Sequence, residues 1–393
     1  MKKILLAAAL FAAVACGDKS NPAQNSEPGK EQEQEQEPQT QEPQTPDPVE
    51  TPAFAKGTDI GWASEMEKTV KFKKKDGTEA PLLDVLKDCG VNAIRLRVWV
   101  DPYKGYSGKD DVVAVAKKVK AAGMALMVDF HYSDFFADPS RQQIPAAWQA
   151  DKSDIGKMIQ HVSSHTAEVL QALKDENVTV NWIQIGNETR AGMLFGCGDL
   201  VYANKGAEFA NYVKLSNAGY DAAKAIYPDA LVMPHIDKAF DKNNNTWWFT
   251  NFKNQGGKFD ALALSHYPQN SWKGSSQLSA SDANAQAVDF IRYAVGQYNV
   301  PIIVSEVGVK TQASETEAAS VLQSFMTEIK KVDGVTGVFY WEPEVDGQWK
   351  PAVYSDAAAI KQYTGKQETW NAYNMGAFLT GGRPSKVMDA LCN

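Results

Sequence analysis

Residues 181–192 read NWIQIGNETRAG. Trp182, Ile183 and Ile185 form a short apolar run of strand-forming residues that stops at Gly186. Asn187 and Glu188 follow at its C-terminal end. A strand this apolar is covered on both faces, as in a parallel sheet. The amide and carboxylate at its end therefore need a reason to be there.

The pattern recurs along the chain. Candidate strands lie at 57–60, 93–98, 124–130, 181–186, 231–236, 261–265, 302–305 and 335–341. Between them the apolar period changes to that of a helix. In SDIGKMIQHVSSHTAEVLQAL (153–173), Ile155, Met158, Ile159 and Val162 share one face with Val169, Leu170 and Leu173, and Ser153 is the candidate cap. QAVDFIRYAVGQYN (286–299) and AASVLQSFMTEIKKV (318–332) read the same way. Eight strand–helix units over residues 52–393 imply a single α/β domain, a (β/α)8 TIM barrel. A doubly wound open sheet is the alternative, but no GxGxxG follows the first strand.

A barrel works at the C-terminal ends of its strands. There the sequence places Asp59, then Arg95, Arg97 and Trp99, then Asp129, His131 and Asp134. The fourth strand delivers Asn187 and Glu188, the fifth His235 and Asp237, and the sixth Ser265-His266-Tyr267. The seventh ends at Glu306 and the eighth at Trp341 and Glu342. Two strand-end carboxylates facing one pocket are the equipment for glycoside hydrolysis, one as proton donor and one as nucleophile or base. Glu188 and Glu306 stand on opposite sides of an eight-membered ring and converge across it. Either glutamate alone also reads as an ion-pair partner of Arg95 or Arg97. Glu342, beside Pro343 and aromatic residues, reads as a packing or ion-pair residue.

The first sixteen residues, MKKILLAAALFAAVAC, carry Lys2 and Lys3, an apolar run over 4–14 and small residues up to Cys16. Residues 1–15 have the pattern of a secretory signal, too short for a spanning helix. The ending Ala13-Val14-Ala15-Cys16 resembles a bacterial lipoprotein box, which puts lipid on Cys16; an ordinary signal with an incidental cysteine is the alternative. Residues 16–51 are rich in Glu, Gln, Pro and Thr and read as an unstructured tether. Together these features predict a protein anchored by lipid to the bacterial cell envelope, at the outer membrane, facing the cell surface or the periplasm. A net charge of −8 argues against nucleic acid as a partner. The 10 Trp and 14 Tyr suit a groove that stacks flat ligands, although core filling accounts for many of them. Of the four cysteines, Cys89 and Cys392 fall at the bottom of a barrel in its first and last units, and Cys197 falls in a top loop. If a disulfide forms, Cys89–Cys392 is the pair this geometry favours, although spacing alone does not fix connectivity. No CxxC or HExxH metal motif is present.

The stretches GVNAIRLRVWVDP (90–102), AKKVKAAGMALMVDFHYSDFFADPSRQ (116–142), IQIGNETRAGML (183–194) and GVFYWEP (337–343) resemble the endo-β-1,4-galactanases of glycoside hydrolase family 53, in clan A. The resemblance runs from about residue 57 to the C-terminus, and DFHYSD followed by ADP carries most of its specificity. It implies Glu188 as acid/base, Glu306 as nucleophile and a retaining mechanism, which calls for carboxyls about 5–5.5 Å apart. It further implies that Asn187 bonds the sugar 2-hydroxyl, Tyr267 orients the nucleophile, Arg95 keeps Glu306 ionised and Trp341 forms the floor of the site. Asp59, Trp99, His131 and Asp237 match positions that line the cleft. Trp148, Trp247, Trp248 and Trp272 are candidate stacking residues for outer sugars, with loop packing as the competing role.

The chain departs from the family at His266, at HIDKAF (235–240) and at Phe195, all of which bear on outer subsites. GVKTQASETEAAS (308–320) lacks the calcium ligands that many bacterial members carry after the seventh strand. DKNNN (241–245) is read as a polar loop, because it lacks the glycine and distant glutamate of a calcium loop. No metal or cofactor is expected. The reading that follows is a monomeric enzyme releasing galacto-oligosaccharides from galactan or arabinogalactan side chains of pectin. The alternatives are a clan A hydrolase of another β-linked glycan such as mannan, and a non-catalytic glycan-binding lipoprotein.

Overall fold

Eight parallel strands close into a ring in the computed structural model, which describes residues 49–200, 206–370 and 373–393. The signal segment, Cys16 and the tether up to residue 48 lie outside the described residues. β1 is Ala55–Asp59, β2 Ala93–Val98, β3 Ala125–Phe130 and β4 Trp182–Ile185. β5 comes in two pieces, Leu231–Met233 and His235–Ile236, followed by β6 Leu262–His266, β7 Ile302–Val307 and β8 Val335–Tyr340. β1 pairs with β2 and β8. The first piece of β5 pairs with β4 and the second with β6, so the ring closes across Pro234. Proline has no N–H for the ladder, but the Pro234 carbonyl accepts from the Ala263 N–H at 3.0 Å.

A helix follows each strand. These are α1 Leu82–Asp88, α2 Lys109–Ala121, α3 Ile155–Asp175, α4 Gly206–Ile226, α5 Lys242–Asn254, α6 Ala280–Tyr298, α7 Glu315–Ile329 and α8 Lys386–Cys392. The α3 cap is Asp154 rather than Ser153; its carboxylate accepts from the Lys157 N–H at 3.1 Å. The stretch 241–245 is not a loop. Asp241 accepts from the Asn244 N–H at 3.3 Å and caps α5, whose Trp248, Phe249 and Phe252 are buried.

Alternation along the strands divides the core in two. Ile94, Leu96, Val98, Leu126, Val128, Ile183 and Ile185 face the helices. Ala93, Ala125, Met127, Trp182, Ala263, Ile303 and Phe339 fill the barrel interior. The small inward residues make room for the large ones: a Cβ on Gly57 would lie 2.1 Å from the Phe339 ring. Above this layer the inward positions turn polar, with Asp59, Arg95, Arg97, Asp129, Gln184 and Ser265 all buried.

Cys89 and Cys392 form a disulfide that ties the end of α1 to the end of α8, and Cys197 is free. At the bottom of β4, the Asn181 amide donates to the Val49 carbonyl at 3.2 Å and to Thr51 Oγ1 at 2.9 Å. The chain is thus held to the barrel from residue 49, three residues before the expected boundary.

Candidate active site

Two local features aim the glutamates. In β7, Ile303 points into the barrel, so strict alternation would turn Ser305 inward and Glu306 outward. The register instead slips by one between Val304 and Glu306, and Glu306 comes to lie opposite Ser265. This β-bulge re-aims the carboxylate into the barrel mouth. At β4, Gly186 has φ +80°, and a Cβ there would stand 2.5 Å from Thr189 Cγ2. Its glycine serves this turn. Glu188 itself sits at φ 46°, a left-handed conformation that costs about 1–3 kcal/mol for a non-glycine residue. The turn is held by the Glu188 N–H donating to His235 Nδ1 at 3.2 Å and by Thr189 Oγ1 donating to the His235 carbonyl at 3.0 Å.

Arg95 is the hub of the site. Its guanidinium donates to Asp59 at 2.6 Å, to Asp129 at 2.8 Å and to Asn187 Oδ1 at 2.8 Å, and it meets Glu306 Oε1 at 2.9 Å. Tyr267 donates to Glu306 Oε2 at 2.7 Å, and the Ser265 hydroxyl reaches the same oxygen at 3.2 Å. Ser265 Oγ in turn lies 2.7 Å from His235 Nε2. Because His235 Nδ1 accepts the Glu188 N–H, Nε2 is the protonated nitrogen. Burial and the nearby Arg95 hold the imidazole well below its usual pKa, so it is neutral. A chain of hydrogen bonds thus runs from the Glu188 backbone through His235 and Ser265 to Glu306.

The two glutamates differ in charge environment. Burial raises the pKa of both. At Glu306, Arg95 and the Tyr267 hydroxyl oppose that rise. At Glu188, the charges of Glu306 and Asp237 add to burial and push its carboxyl well above the usual range. The proton of the pair resides on Glu188.

A cavity of about 470 Å³ takes in Asp59, Arg95, His131, Asn187, Glu188, Asp237, Tyr267, Glu306 and Trp341. His131 is fixed by its Nε2 against Asp129 at 2.9 Å, while its Nδ1 accepts the Ala137 N–H at 3.0 Å. Asp237 is paired with Arg190 at 2.5 Å. Asn187 Nδ2 donates to the Ala137 carbonyl at 2.8 Å.

Three tryptophans expected to touch sugar do not line this cavity. Trp99 is buried behind it, with its ring 5.1 Å from Phe136, which does line the cavity. Trp148 is buried and stacked on His161 at 5.1 Å. Trp248 has no exposed surface and packs among Tyr212, Phe249 and Phe252, because α5 turns it inward. Its neighbour Trp247 and the hairpin residue Trp272 are exposed. Glu342 sits outside the cavity, in contact with the Arg97 guanidinium and accepting from Trp62 Nε1 at 3.1 Å.

Arg141, Tyr354, Glu368, Trp370 and Tyr373 also line the cavity and were not anticipated. They come from long loops after β3 and β8, and nothing in their local sequence distinguishes them from surface residues. Gln184, His235 and Ser265 left a fainter signal. Each is a polar residue at an inward position of an apolar strand.

The family profile described as Glycosyl hydrolase family 53 matches residues 55–391. An arabinogalactan endo-beta-1,4-galactanase of Thermothelomyces thermophilus is 30% identical over 307 residues, covering 72% of this chain and 88% of that protein. The arabinogalactan endo-beta-1,4-galactanase of Humicola insolens is 30% identical over 313 residues, 73% of this chain and 89% of its own. Among solved structures, the GH53 catalytic domain of Ignisphaera aggregans superposes with a TM-score of 0.71 at 26% identity, covering 89% of this chain and 99% of that one. A fungal beta-1,4-galactanase superposes with a TM-score of 0.68 at 26% identity, over 85% and 98%.

Proposed function

The chain belongs to glycosyl hydrolase family 53, and we propose that it cleaves β-1,4-galactosidic bonds within galactan, with retention of configuration. A Glu306 carboxylate oxygen attacks the anomeric carbon as the bond to the leaving oxygen breaks. Glu188 gives its proton to that oxygen, which departs as the 4-hydroxyl of the leaving chain. Glu188, now ionised, takes a proton from water. The water oxygen bonds to the anomeric carbon, and the ester to Glu306 breaks. Arg95 and Tyr267 stabilise the Glu306 carboxylate each time it is freed.

One observation carries this reading. Arg95, Tyr267 and Ser265 all donate to Glu306, while Glu188 faces burial and negative charge. Such a pair of environments separates a nucleophile from an acid.

Reducing-sugar release from linear β-1,4-galactan, with β-mannan, xylan and cellulose alongside, tests the substrate. Short galacto-oligosaccharides from galactan alone are expected; cleavage of another glycan with silence on galactan would discard it. Lipid on Cys16 and anchoring at the cell envelope belong to the same proposal, supported by the 13–16 motif and the Glu/Gln/Pro-rich stretch after it. Labelled palmitate should enter the protein and be lost in Cys16→Ser; equal labelling of the variant would refute the anchor.

A further inference from the structure

A second cavity, of about 620 Å³, opens on the loop-bearing face of the barrel. Its walls are the loop after β3, Phe195 from the loop after β4, and the helix Ala357–Thr364 with the turn that follows it. Arg141 and Glu368 line both this cavity and the catalytic one. They are joined at 3.1 Å, so this ion pair borders both spaces. The cavities are further linked by Gln142, whose amide donates to the Asn187 carbonyl at 2.8 Å.

The cations around the second cavity are matched internally. Arg141 meets Asp138 at 3.7 Å as well as Glu368, and Lys366 meets Glu368 at 3.4 Å. The Asp134 oxygens accept the Asp101 and Ala146 N–H groups at 3.0 and 2.8 Å. An anionic ligand finds no unmatched cation there. What the walls offer instead is the amides of Gln143 and Gln362, the Ser140 hydroxyl, and the rings of Phe195 and Tyr363. Amides and hydroxyls meet the hydroxyls of a sugar, and flat rings meet its CH faces. The volume falls within the ~300–1,000 Å³ of ordinary ligand pockets.

We propose that this cavity binds a neutral glycosyl residue of the polysaccharide whose backbone occupies the catalytic cavity. The inference rests on galactan being the substrate. The residue belongs either to the continuing main chain or to a sugar branch on it; both present the same chemistry to these walls.

The test compares kcat/KM of the wild type, Gln362→Trp and Gln143→Ala. Gln362 is exposed on its helix, so tryptophan there fills the cavity without entering the core, and Gln143→Ala removes an amide without adding bulk. The substrates are the shortest linear β-1,4-galacto-oligosaccharide that is cleaved, linear galactan and arabinose-substituted galactan. The variants are expected to keep wild-type kcat/KM on the shortest substrate and to lose about tenfold on a polymer. Loss on both polymers identifies the main chain as occupant, and loss on the substituted polymer alone identifies the branch. Unchanged values on both polymers overturn the proposal, as does an equal loss on the shortest substrate. A wild type that cleaves no galactan removes the functional reading, and the inference with it, before any variant is compared.

Discussion

At Glu306, three donors meet one carboxylate; at Glu188, the strand turn and two negative neighbours meet another. On the proposed mechanism the same side chain takes two roles. Glu188→Gln and Glu306→Gln should each lower kcat by at least about 10³-fold with unchanged thermal unfolding. Near-normal turnover in either would remove that residue from the chemistry. Ser265 bears on the acid limb of the pH profile. On the proposed mechanism activity needs Glu306 ionised and Glu188 protonated, so the acid limb follows Glu306 and the alkaline limb Glu188. The Ser265 hydroxyl donates to Glu306 and so favours its ionised form. Ser265→Ala should therefore shift the acid limb of kcat/KM to higher pH, and an acid limb that stays in place would contradict the relay. Ser265 was visible as a strand-end residue in the sequence, but its partners were not. The contact depends on how β6 and β7 register, which is set by tertiary packing.

The elements show why sequence patterning reached some positions and missed others. Strands recognised by apolar runs fall within one or two residues of their ends, because burial on both faces dictates their composition. Alternation alone would have turned Glu306 away; only its strand-end position and its pairing with Glu188 pointed to the site, and the bulge at Ser305 explains how it gets there. The split of β5 at Pro234 could have been read from the proline itself. On α5, Trp247 and Trp248 looked alike in sequence, yet adjacent helix positions face different ways. The turn after β8 carries a further device. Glu344 is wholly buried; its Oε1 accepts the Trp62 N–H at 3.0 Å, and its Oε2 has no partner among the described residues. Burial and the charge of Glu342 hold its pKa well above the usual range. The folded form keeps a proton that the unfolded chain releases above its ordinary pKa of about 4.3, so stability falls as pH rises from there toward the folded pKa. Glu344→Gln keeps an acceptor for Trp62 and removes the titration. Its melting temperature should drop less than that of the wild type between pH 5 and pH 8, and parallel drops would show that Glu344 does not carry the effect.

On the scale of the whole molecule, the ring is closed twice, by the β1–β8 ladder and by the Cys89–Cys392 disulfide, which joins residues 303 apart in sequence. A cross-link over so long a loop limits the unfolded chain more than the folded one. Cys392→Ser should cost about 2–4 kcal/mol in urea unfolding and leave kcat/KM at 25 °C unchanged, because the bond lies at the face opposite the site. The barrel was legible from eight alternating units, and the two glutamates that meet at the cavity from two strand ends. The outer walls of the cleft were not, because Tyr354, Glu368, Trp370 and Tyr373 sit in the long connection after β8, around the helix Ala357–Thr364, whose path depends on what it packs against. On the proposed mechanism Glu188 and Glu306 cleave galactan by double displacement. The most direct measurement is proton NMR of the anomeric signals during the first minutes of hydrolysis of linear β-1,4-galactan. The β-anomer should appear first and the α-anomer only later, by mutarotation. An initial α-product would mean single displacement by water and would contradict Glu306 as the nucleophile.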